Sequence, residues 1–120
     1  MADLVTISVF EVVGSGLCVA SDDGQKVFEQ IASVLRKGPR AQLSFLNVES
    51  LTSAFLNAAI GQLYGEFTDD QIKGGLQVSD IGQDDLALLK RVVDAAKDYF
   101  KDPEKIKNAR KEAMEEGDEL

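Results

Sequence analysis

Strands alternating with helices predict an α/β domain: a mixed sheet of about four strands with helices packed on it. Three observations carry that prediction. Apolar residues recur at helical spacing in three long segments, β-branched residues concentrate in short runs between them, and helix starts carry acids or hydroxyls. A length of 120 residues suits one domain with a real core. The folded domain is placed at 1–102, and a charged C-terminal helix or tail at 103–120.

Leu4 to Val13 alternates and is rich in Val, Ile and Phe, which predicts a strand. Gly14-Ser15-Gly16 breaks it, and Leu17 to Ala20 resumes as a short strand, its expected hairpin partner. Ser21-Asp22-Asp23 opens a helix carrying Val27, Ile31, Val34 and Leu35, and Lys37-Gly38-Pro39 closes it. Arg40 to Phe45 or Leu46 reads as a central strand. A second helix runs from Thr52-Ser53 to about Tyr64, with Phe55, Leu56, Ala59, Ile60 and Leu63 on its apolar side. Thr68-Asp69-Asp70 starts a helical turn ended by Gly74-Gly75, and Leu76 to Ile81 alternates as a strand.

A third long helix spans about Gln83 to Lys101. One stripe holds Leu86, Leu89, Val93, Ala96 and Phe100; a second holds Leu88, Val92, Ala95 and Tyr99. Two stripes imply that more than one surface is covered, which leaves a homodimer open. Asp102 and Pro103 fit the start of a last helix in which only Ile106, Ala109, Ala113 and Met114 offer packing.

Charge narrows the partners. A net charge of −8, from 21 acidic and 13 basic residues, disfavours nucleic acid and anionic membrane. The late cluster Lys105, Lys107, Arg110 and Lys111 is interleaved with glutamates and reads as a solvated helix face. No apolar run approaches the roughly 18 residues of a membrane span, and the N-terminus shows no basic leader before an apolar segment. Cys18 is the single cysteine, between Leu17 and Val19, and reads as a small buried hydrophobe. A reducing cytoplasm fits that usage best.

The chain has no histidine, which removes Ser-His-Asp and Cys-His chemistry and histidine-based zinc sites. Asp22-Asp23, Asp69-Asp70 and Asp84-Asp85 each sit where an acid complements a helix start. A magnesium site built from two such pairs is the minor alternative, and no cofactor is implied. Gly14-Ser15-Gly16 lacks the third glycine of a dinucleotide loop and the Gly-Lys-Ser/Thr of a P-loop, so a hairpin or bulge is expected. These readings point to a protein that is not an enzyme.

The segment from Leu43 to Gly61 reads as a buried strand, a hydroxyl-rich turn and a helix rich in small apolar residues. Thr52 and Ser53 fall at the first free N–H groups of that helix. A hydroxyl there can cap the helix, worth about 1 kcal/mol, or carry a phosphate beside amides that favour an anion.

Val48 to Gly61, preceded by Leu43–Leu46, resembles the signature segment of STAS domains, the fold of anti-sigma-factor antagonists and sulphate-transporter tails. Leu51-Thr52-Ser53-Ala54-Phe55-Leu56-Asn57-Ala58-Ala59, then Leu63-Tyr64-Gly65, resembles more closely a small bacterial STAS-like family. Leu88-Leu89-Lys90-Arg91-Val92-Val93, with Ala95-Ala96 and Tyr99-Phe100, fits it too. The resemblance covers roughly residues 20 to 102. It implies a non-enzymatic regulatory module that binds a protein partner, either a histidine-kinase-fold ATPase or an anti-sigma-like regulator. Aligned on Asn47-Val48, Ser53 takes the phosphoacceptor place, and Glu49, Ser50, Thr52, Ser53 and Asn57 are the candidate partner- or anion-binding residues. Thr52 stands where antagonists keep an acid, Ala54 replaces a second hydroxyl, Phe55 replaces a glycine, and Ser44 stands where the STAS-like family often has an acid. The alternative is a nucleotide- or anion-binding domain using the same helix N-terminus.

Overall fold

The computed structural model describes residues 4–101, the side chain of Lys101 excepted. The last helix and charged tail expected at 103–120 therefore lie outside the described residues. In chain order the elements are β1 (Leu4–Ser8), α1 (Val9–Val13), β2 (Leu17–Cys18), α2 (Ser21–Lys37), β3 (Arg40–Ser44), β4 (Ser50–Leu51), α3 (Ser53–Leu56), a π-helical turn (Asn57–Gly61), α4 (Leu63–Glu66), α5 (Asp69–Gly75), β5 (Leu76–Ser79) and α6 (Gln83–Lys101).

The main sheet has three parallel strands in the order β1-β3-β5, with β3 central as its run of buried residues requires. The register sets Ser8, Ser44 and Ser79 in one row at the C-terminal edge. Ile7, Ala41, Leu43 and Val78 pack into the core; by alternation Thr6, Gln42 and Gln77 belong to the opposite, polar face.

Two expectations need correction. The first strand stops at Ser8, not Val13. The Ser8 hydroxyl accepts from the Glu11 N–H at 3.1 Å and starts a helical turn, which Gly14 closes in the left-handed region at φ 84°. That cap and the Gly14 stop outweigh the strand preference of Val9-Phe10-Glu11-Val12-Val13. Nor does β2 form a hairpin with β1. It pairs in parallel with β4, giving a separate two-stranded sheet, so five strands stand as three plus two rather than about four in one sheet.

Helix positions follow the sequence closely. α2 ends at Gly38, whose φ of 105° suits only glycine without strain. α5 starts on a reciprocal capping box between Thr68 and Gln71. The acid pairs 22–23, 69–70 and 84–85 all lie in first turns. On α6, Leu89, Val92 and Ala96 are buried, while Ala95 and Tyr99 of the second stripe reach solvent. Among the described residues no helix is long and apolar enough to cross a membrane.

The expected second helix continues past Tyr64 to Glu66 as one right-handed rod made of α3, the π turn and α4, with Leu56, Asn57 and Gln62 all in the αR region. In the π turn the Gln62 N–H reaches the Asn57 carbonyl, and the Gln62 Nε2 donates to the Ala58 carbonyl at 2.7 Å and to Gln25 Oε1 at 2.6 Å. Gln62 thus fastens the irregular turn to α2. Val27 and Ile31 of α2 meet Phe55, Leu56, Ile60 and Leu63 of the rod in the core. At the lower end, Arg36 pairs with Glu66.

The close crossing of α2 and the rod depends on Gly24. A Cβ there would press on the Phe55 carbonyl and come within 2.8 Å of Ala58 Cβ, whereas one at Gly74 meets nothing within 4 Å. Gly24→Ala should lower unfolding free energy by about 1–3 kcal/mol as the rod is pushed away. Gly74→Ala, in an exposed helical position, should hold or raise it by roughly 0.5 kcal/mol. Urea denaturation of both variants measures the contrast.

Candidate functional site

Because β1, β3 and β5 are parallel, their C-terminal ends share one edge, and α2, the rod and α6 all begin there. In open α/β sheets that edge is the usual place for function. The chain turns sharply on it. Asn47 and Asp80, neither of them glycine, adopt left-handed φ values of 70° and 58°. Ser44 donates to Asp80 Oδ2 at 3.0 Å and accepts from the Leu46 N–H at 3.3 Å, which joins the ends of β3 and β5 and aims the loop after β3. Asp80, one residue past β5, thus sets a carboxylate beside Ser44.

The loop 45–49 lies on the turn 14–16. Glu49 and Ser50 donate their N–H groups to the Gly16 carbonyl at 2.8 and 3.1 Å, and a Cβ on Gly16 would come within 2.7 Å of the Asn47 carbonyl oxygen. Gly14-Ser15-Gly16 is thus neither a hairpin nor a bulge. It ends α1 and seats the 47–50 loop. Beside it, the Thr52 N–H meets the Cys18 carbonyl at 3.3 Å, and Thr52 Oγ1 donates to the Val19 carbonyl at 2.8 Å.

The two hydroxyls of the turn separate. Thr52 is the N-cap, its Oγ1 accepting from the Phe55 N–H at 3.2 Å. Ser53 is the first helical residue, exposed, and its hydroxyl has no hydrogen-bond partner among the described residues. Phe55 is fully buried and points away from Ser53 into the core. Glu49 and Ser50 are exposed on the same end. Asn57 is exposed a full turn along the rod and lines a hollow of about 360 Å³ against Ala95, Ala96 and Tyr99 of α6, so it is not brought into the Thr52 turn.

Sequence reasoning missed the apolar part of this end. Leu17, Val19 and Leu46 are 56, 44 and 58 % exposed. Leu17 is in register with Ser50 and the Val19 carbonyl accepts from Thr52, so both lie beside the turn that presents Ser53, and Leu46 lies in the preceding loop next to Asn47. In the sequence Leu17 and Val19 flank buried Cys18 as in any half-covered strand, and Leu46 follows buried Phe45, so their shared exposure shows only in the structure.

Acidic charge rims the same edge: Glu11, Asp22, Asp23, Glu49, Asp80, Asp84 and Asp85 all sit in first turns or loops there. Lys26 answers one of them, bridging Asp23 at 3.5 Å. Cys18 is fully buried, and burial, then the Asp23 charge, pushes its thiol above the ordinary value. It stays a neutral hydrophobe. Among the described residues no three Asp, Glu, His or Cys side chains gather as a metal would need.

Residues 23–86 match the model of a family described as a STAS-like domain of unknown function (DUF4325). That span runs from the first turn of α2 to the first turn of α6 and includes the whole Thr52 turn. No curated protein and no solved structure matches the chain.

The different duties of the two hydroxyls can be measured. Thr52→Ala should cost about 1–2 kcal/mol of stability, since it removes the cap and the bond to the Val19 carbonyl. Ser53→Ala should change stability by less than about 0.5 kcal/mol. Equal losses in thermal or chemical denaturation would show that the cap is shared.

Proposed function

The chain belongs to the STAS-like family of that description, and from this premise we propose that it is a non-enzymatic regulatory module that docks a protein partner on the edge around Ser53. The observation that carries the reading is the pairing of an exposed, unbonded Ser53 hydroxyl with the exposed side chains of Leu17, Val19 and Leu46. Large apolar side chains clustered around one turn favour a contact surface over a solvated loop. The partner by resemblance is a histidine-kinase-fold ATPase or an anti-sigma-like regulator.

Phosphorylation of Ser53 is the proposed switch. Thr52 already holds the helix start, so Ser53 can be modified without undoing the cap. A phosphoryl group there would bring close to two negative charges into the middle of the apolar contact, and a partner docking on Leu17 and Leu46 would then bury a hydrated dianion. The nearby helix amides would hold the phosphate while the fold persists.

The acidic rim argues against the alternative, a free nucleotide or anion bound at the same helix start. Seven carboxylates repel a diffusing anion, and the Phe55 amide is already taken by Thr52. Covalent transfer from a kinase escapes that repulsion because the bond, not an equilibrium affinity, keeps the phosphate in place.

Binding can be measured by isothermal titration against the histidine-kinase-fold ATPases and anti-sigma-like proteins of the source genome. The binder should lose about tenfold or more in affinity with Ser53→Asp, keep it with Ser53→Ala, and lose a similar amount with Leu46→Ser. Unchanged binding by all three variants would remove this edge as the interface.

A further inference from the structure

β1 forms one edge of the main sheet and, among the described residues, pairs only with β3. Its outer backbone N–H and C=O groups are therefore open to another strand. Protein edges usually carry a charge, a proline or a bulge against such pairing, and Leu4-Val5-Thr6-Ile7-Ser8 has none. The other strands differ. β5, at the opposite edge, runs at once into Asp80, and the β2–β4 pair has two residues in each strand. Apolar surface marks the open edge as well. Leu4 and Val5 are 48 and 37 % exposed, although Val5 shares its face with buried Ile7, so the core runs uncovered to the margin of the sheet here.

Symmetry and charge select a second copy of this chain as the occupant. Thr6 is the middle of the five residues, and an antiparallel pair centred on it sets Thr6 against Thr6, Val5 against Ile7 and Leu4 against Ser8. A threonine pair is a favourable cross-strand match, and Val5 gains an apolar cover. Two chains of net charge −8 repel on average, so a joint between copies needs an uncharged seam, and Leu4–Ser8 supplies one. Exposed Arg40 lies in register with Leu4 at the start of the strand, and exposed Glu11 follows its end. Neither has an ion-pair partner among the described residues. Antiparallel pairing brings Arg40 of each copy to the same end as Glu11 of the other, whereas parallel pairing would gather like charges. The polar row Thr6-Gln42-Gln77, in which Gln77 donates to Gln42 at 3.5 Å, would continue across the joint. We propose that β1 pairs with β1 of a second copy, antiparallel about Thr6, in a two-fold symmetric dimer whose sheet takes three strands from each chain.

Apart from Glu11, the seam uses no residue of the Ser53 edge, and the dimer does not depend on the reading given for that edge. A joint of one short strand buries less than a standard interface, so association should be reversible, with a Kd of about 1–100 μM. Sedimentation equilibrium of the full chain from about 1 μM to 1 mM measures it. Thr6→Lys and Thr6→Glu each set like charges face to face at the centre of the seam and should weaken association at least about tenfold. Thr6 is exposed, so circular dichroism should show both variants folded. An equimolar mixture of the two should recover association to within about threefold of the unsubstituted chain, because lysine then faces glutamate. Ser53→Asp should leave the dimer unchanged. A monomer at every concentration, a dimer that neither Thr6 substitution weakens, or a mixture that stays monomeric would each overturn the proposal.

Discussion

One hydroxyl organises the functional end of this protein. Thr52 Oγ1 donates to the Val19 carbonyl and accepts from the Phe55 N–H, and the Thr52 N–H is bound to Cys18. These bonds weld the small β2–β4 sheet to the start of the rod. They also set the phase of the helix. With Thr52 as cap, the first residue beyond it turns outward and the third inward, so Ser53 meets solvent and Phe55 fills the core. Moving the cap by one residue would turn each side chain by about 100° around the helix and take Phe55 out of register with its buried place.

That arrangement needs a firm base, and the crossing of α2 over the rod supplies it. Gly24 lets the two backbones approach until Val27 and Ile31 interlock with Phe55, Ile60 and Leu63, and Gln62 ties the π turn to Gln25. π turns of this kind concentrate where a helix has been adapted to a task. Here the π turn lies between the start of the rod, which presents Ser53 at an acidic and apolar edge, and its end, where Arg36 pairs with Glu66.

Much of this was legible in the sequence because helix ends carry local chemical signatures. The acid pairs, the Gly38 stop and the start of α6 follow from capping and dipole effects within a few residues. The expected central place of β3 agrees with its position between β1 and β5. The family likeness was legible as well, and the family model that matches spans residues 23–86. What failed were features decided at long range. Val9–Val13 has strand-like composition and becomes helical through one serine cap and one left-handed glycine. The pairing of β2 with β4 joins residues more than thirty positions apart. Which of two adjacent hydroxyls caps the helix also needed coordinates, since either fits the sequence pattern.

The division of labour between Thr52 and Ser53 is the claim on which the regulatory reading stands. Phosphosite mapping by fragment mass spectrometry, on the protein isolated from its own cells across growth conditions, addresses it most directly. The account predicts phosphate on Ser53 in a fraction of molecules and an unmodified Thr52 throughout. Phosphate on Thr52, or an unmodified turn under every condition, would contradict it.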